Sequence, residues 1–159
     1  MLVLLAIMRG MPETPEKQLT SFIAKFTPAM GKVIRECRHA MRQRFPTANE
    51  LVYDNYNFFV IGYCTTERPS DCLVSLATNA RGIGLHFYHG ATLPDPQGVL
   101  EGSGNQNRFV RLDGAAALSR AEVQALLNAA EAQATPGFPE EGGGKLIIRS
   151  VSEKQRPRR

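Results

Sequence analysis

Apolar positions along the chain keep a helical period first, then alternate, then return to a helical period. Thr14-Pro15 is a helix-start signal, with threonine as N-cap and proline at the first helical position. Leu19, Phe22, Ile23 and Phe26 follow at the i, i+3, i+4, i+7 spacing of one buried face. Thr27-Pro28 repeats the signal and predicts a second helix to about Arg44, with Met30, Val33, Ile34, Cys37 and Met41 on its apolar stripe. A fresh cap between two helices implies a bend, hence a helical hairpin or corner.

From Glu50 the pattern is that of strands. Segments 51–53, 58–63, 72–78, 83–88 and 108–112 are rich in β-branched and aromatic residues, and Asn79-Ala-Arg-Gly82 is a hairpin turn. In 83–88 the alternation places Ile83, Leu85 and Phe87 on one side and His86 and Tyr88 on the other. A Pro/Gly-containing excursion fills 90–104. Ser119-Arg-Ala-Glu122 has the form of a capping box, with Leu118 and Val123 as its staple, before a helix burying Val123, Leu126, Leu127 and Ala130. A Gly/Pro linker over 135–144 leads to a last strand, 145–151. Helices, hairpin-linked strands and another helix predict an α+β domain over 14–151, its sheet mostly antiparallel and its helices on one face.

Composition agrees with a globular domain: 159 residues, 43% hydrophobic and 21% charged. The net charge of +4 is local. Lys154, Arg156, Arg158 and Arg159 supply four of the 19 basic groups, so residues 1–153 hold 15 basic groups against 15 acidic ones. That argues against a domain basic throughout, and 152–159 reads as a basic, mobile tail. Residues 1–13 read as disordered or as a mis-assigned start, because the apolar run 1–8 is too short for a membrane span and lacks a basic n-region. Cys37, Cys64 and Cys72 form an odd set without a CxxC pair, which reads as reduced thiols in the cytoplasm.

The stretches His86-Phe-Tyr-His-Gly90, Leu93-Pro-Asp-Pro96, Leu100-Glu-Gly-Ser-Gly104 and Arg108-Phe-Val-Arg-Leu112 resemble the YdhG-like bacterial family, domain of unknown function 1801. Glu50-Leu-Val-Tyr-Asp-Asn-Tyr56 and the close at 150–159 look like one subgroup of it, so the likeness spans roughly residues 17–159. Asn105 stands where the family usually has lysine, and Phe109 where it often has histidine. The resemblance implies a YdhG-like α+β fold, similar to frataxin-type and YjbR-type folds, and no established activity. An iron-chaperone role follows only by fold analogy, and Glu140-Glu141 with scattered carboxylates makes a poor acidic patch for it.

Candidate chemistry is sparse. The Gly102-Ser103-Gly104 loop with Arg108 has the makings of an anion nest, its glycines supplying positive φ. Asp54 and Tyr56, in a polar turn, offer an acceptor and a stacking group, and His86 with Tyr88 lines the side of the sheet away from the helices, beside Arg108 or Arg111. Lys32, Arg35, Arg38, His39 and Arg42 share one arc of the second helix. No His/Cys/carboxylate spacing suits zinc or iron, so neither metal nor cofactor is expected. No nucleophile motif or carboxylate pair points to catalysis. The expectation is non-catalytic binding of a small anionic ligand or a protein partner, without a membrane. The alternatives are a nucleic-acid accessory role for the basic arc and tail, and an undescribed enzyme using His86.

Overall fold

The computed structural model describes residues 13–159, so the start-codon question lies outside the described residues. Helix α1 (Pro15–Ile23) and helix α2 (Pro28–Arg44) start where the Thr-Pro pairs predict. The Thr14 hydroxyl accepts from the Lys17 amide and that of Thr27 from the Met30 amide. Strands β1 (Asn49–Asp54), β2 (Phe59–Cys64), β3 (Cys72–Asn79), β4 (Gly82–Phe87) and β5 (Arg108–Leu112) follow, then helix α3 (Ala121–Gln133) and β6 (Leu146–Val151).

The strands form one sheet in the order β5-β4-β3-β2-β1-β6, antiparallel except where β6 returns parallel to β1. The fold is α+β. One face of the sheet contributes Val52, Ile61, Leu76, Leu85 and Val110 to a single core with Leu19, Ile34 and Leu126 of the three helices. No helix among the described residues is long and apolar enough to cross a membrane.

Three local expectations are corrected. Ser119 does not cap α3: it ends a 3-10 turn (Ala115–Ser119), and Arg120 takes the N-cap position without a side-chain bond. The three thiols are not all free. The tight 65–71 connection sets Cys64 directly across from Cys72, and the two are joined as a disulfide, leaving only Cys37 free among the described residues. Burial pushes the Cys37 thiol up to about 11, with Glu36 adding to the shift. The 152–159 segment is docked rather than mobile, with Arg158 only 5% exposed against the end of β1.

Candidate functional site

Register decides what the helix-free face of the sheet presents. One row across the strands reads Leu51, Gly62, Ser75, His86 and Phe109; the next reads Tyr53, Val60, Ala77, Gly84 and Arg111. The middle strands thus contribute Gly62, Ser75, Ala77 and Gly84 among larger side chains such as Val60 and His86. An atom at the Cβ position of Gly84 would lie 3.3 Å from His86 Nε2, so the imidazole lies over a floor that only glycine leaves open. A Cβ at Gly62 would lie 3.3 Å from Cys72 Sγ and at an ordinary contact distance of 3.7 Å from the Tyr88 hydroxyl.

The result is a groove of about 440 Å³ lined by Phe58, Ala77, Arg81, Gly84, His86, Phe109 and Arg111. The His86 and Phe109 rings stack with centroids 5.1 Å apart and planes 20° apart. Arg111 lies 6.0 Å from the Phe109 centroid and 3.5 Å from Glu101. Burial holds the His86 imidazole below its usual range, which favours the neutral ring. The Asn107 amide lies 3.2 Å from His86 Nδ1. With that amide donating, Nε2 carries the proton and offers it over Gly84. Burial raises the Tyr88 hydroxyl, with Tyr53 adding to the shift and a hydrogen bond with Ser75 opposing it. The groove therefore offers a stacking surface, a ring N–H donor and two guanidinium groups.

The other candidate residues do not join His86 and Tyr88. Arg108 pairs with Phe87, on the helix side of the sheet, and donates to the carbonyls of Gly104 and, at 2.8 Å, Asn107. Its fork is spent on its own loop. Gly102 has a φ of +111°, but Gly104 does not share the left-handed conformation, so the double-glycine nest is absent. Ser103 is exposed on that loop. Asp54 is 0% exposed, with Lys25 Nζ 2.6 Å from one carboxylate oxygen and Arg158 Nη2 2.9 Å from the other. Tyr56 lies under the Arg156 guanidinium at 5.6 Å. Both residues serve the docked C-terminal segment rather than the groove.

The basic arc of α2 is largely paired. Arg38 bonds Glu50 and Glu16 at 2.9 Å each, Arg42 approaches Glu50 to 3.8 Å, and Lys32 lies 3.8 Å from Glu36. Burial opposes the charge on Arg38, but its bonds to Glu50 and Glu16 outweigh that and strengthen the guanidinium's hold on its proton. Glu50 also accepts from the buried Tyr63 hydroxyl at 3.1 Å. This arc is partly an internal clamp, with Arg35 and His39 left on the exposed side.

A smaller cavity of about 130 Å³ lies by the end of α3, with Leu73, Phe87 and Leu93 in its apolar lining and Asp71, His89 and Gln133 among its polar groups. Among the described residues, no group of three or more His, Cys, Asp or Glu side chains could hold a metal ion. Sequence reasoning paired His86 with Tyr88 and with Arg108 or Arg111, of which only Arg111 lines the groove with His86, and missed Phe58, Arg81 and the small-residue floor. Their only signal was Gly and Ala inside strands, where close approach is one standard meaning of glycine. Comparison with protein-family models, with curated proteins and with solved structures found no match to this chain.

Proposed function

We propose that the protein is a non-catalytic binding protein whose open sheet face takes a small, planar, anionic ligand. The observation that carries this reading is the stacked His86–Phe109 pair beside Arg111 and Arg81, over a floor of Gly84 and Ala77. A flat ring extends the stack, and its carboxylate or phosphate meets the guanidinium groups and the His86 N–H. The YdhG-like resemblance belongs to the same proposal and supplies no activity of its own. So does a cytoplasmic location, which requires the Cys64–Cys72 pair to be reduced there. Alkylating free thiols in intact cells before lysis tests that clause: modified Cys64 and Cys72 support it, and a protected pair removes it.

Thermal shift with a panel of aromatic carboxylates and phosphorylated heteroaromatics tests the binding reading. A ligand at about 100 times its Kd adds about 2.7 kcal/mol, several degrees for a domain of this size. Arg111→Ala and His86→Ala are each expected to abolish the shift while leaving the unliganded melt nearly unchanged. A panel without effect on the wild type, or a shift that survives both substitutions, sinks the reading.

A further inference from the structure

The cavity of about 130 Å³ beside the end of α3 is built from segments far apart in the chain. Leu73 of β3, Phe87 of β4, Leu93, and Ala130 of α3 give it apolar walls, all of them buried. The 65–71 connection forms a further wall and is held in shape from within. The Thr65 amide donates to the Asp71 carbonyl at 3.3 Å, the Asp71 amide donates to the Arg68 carbonyl at 3.0 Å, and the Cys64–Cys72 disulfide closes its base. A cavity of roughly 150 Å³ holds a molecule the size of benzene, so this one has room for a body of about five heavy atoms.

Its charged and dipolar groups favour a cation. No lysine or arginine lines it, and Asp71 supplies its one carboxylate. Asp71 is half-buried, and one of its carboxylate oxygens accepts from the Thr66 hydroxyl at 2.7 Å. Among the described residues that carboxylate has no ion-pair partner. Arg68, in the same connection, is exposed and outside the lining. The end of α3 acts in the same direction. The Ala134 amide turns back to the Glu131 carbonyl, which leaves the Ala130 carbonyl without its helical amide, and the last turn holds no basic residue. An apolar cavity edged by an unpaired carboxylate and the carbonyl end of a helix suits a primary ammonium, a compact cation with three donors.

We propose that this cavity binds a small free primary amine, its ammonium group held by Asp71 and the carbonyl end of α3 and its short apolar body against Leu73, Phe87 and Leu93. The cavity shares no lining residue with the His86 groove, so the site does not rest on the function proposed for that face.

The test titrates n-butylamine at neutral pH into the full chain, purified without reductant, and follows the backbone amides by two-dimensional NMR. Saturable shifts are expected at Asp71, Leu73 and Ala134. Methylamine lacks the apolar body and n-butanol lacks the charge, so each should bind about tenfold more weakly or worse, and butyrate should not bind. Asp71→Asn keeps an acceptor for Thr66 and should weaken n-butylamine by about tenfold or more while leaving the melt nearly unchanged. Shifts confined to another part of the molecule overturn the proposal, as do butyrate binding as tightly as the amine and an affinity unchanged in Asp71→Asn. Methylamine binding as tightly as n-butylamine also overturns it, because the ammonium would then pair with a surface carboxylate without using the cavity. Should Asp71→Asn fail to fold, the wild-type ranking of amine, alcohol and carboxylate decides by itself.

Discussion

The two faces of the sheet are built from the same strands and serve opposite ends. Toward the helices, β2, β3 and β4 present Ile61, Leu76 and Leu85, all but fully buried in one continuous core. One residue along each strand, the other face presents Gly62, Ala77 and Gly84, with His86, Phe109 and Tyr88 standing around them. A face meant only for water would carry long polar side chains. A face meant for packing would not be floored with glycine. The difference teaches that one side of this sheet is given wholly to cohesion, while the other packs a small cluster around Leu51, Cys64 and Cys72 and leaves room beside His86, and the molecule can be probed by asking whether that separation holds.

The largest expected effect lies on the cohesive side. Leu85→Ala should cost about 4 kcal/mol, the transfer free energy of a buried leucine plus the cavity it leaves, read as a lower midpoint in urea. Arg38→Ala comes next, at about 3 kcal/mol, because it strips Glu50 of its main partner while leaving that carboxylate buried. Replacing the pair together, Arg38→Met with Glu50→Gln, should recover part of that loss.

The third variant reverses the pattern. Gly84→Ala places a methyl group 3.3 Å from His86 Nε2, so the imidazole must move off its floor. In a strand the gain in backbone stiffness roughly offsets that strain, and stability should change by less than about 1 kcal/mol. Ligand affinity on the open face should nevertheless fall at least tenfold by calorimetry. If Gly84→Ala instead destabilised as much as Leu85→Ala, the two faces would form one packed unit and the comparison would collapse.

The cohesive face was legible in the sequence because its signals are local. Leu19, Phe22, Ile23 and Phe26 announce a helix face by spacing alone, and Ile83, Leu85 and Phe87 announce a strand face in the same way. The open face was only half legible. Alternation put His86 and Tyr88 on it, but the rows that gather Gly62, Ser75 and His86 exist only once register across three strands is fixed. Asp54 lies apart from the His86 groove, a separation no local pattern signals, since its partner Arg158 is 104 residues away. Arg108 is also set apart from His86. Strand alternation sends it to the side opposite His86, and a flexible side chain bonds the nearest carbonyls when its loop supplies them. Cys64 and Cys72 meet because the short connection between β2 and β3 doubles back, which spacing rules for CxxC motifs do not capture.

The smallest expected effect bears on His86 itself. Burial lowers its native pKa below the ordinary 6.5, so the unfolded chain takes up a proton at higher pH than the folded one. Stability from this group is therefore present above about pH 6.5 and declines as pH falls through the native value, by at most about 1.4 kcal/mol per pH unit. His86→Phe keeps the stack on Phe109 and deletes the titration. Urea midpoints between pH 5 and pH 8 should fall more steeply toward acid for the wild type than for the variant. A bound anion reverses the sign, because a negative charge beside the ring favours imidazolium, so affinity on the open face should rise over the range in which the free protein weakens. Parallel stability profiles for wild type and variant would mean that the ring is as solvated as any surface histidine. The open face would then be an ordinary exposed sheet surface and not a groove with a floor.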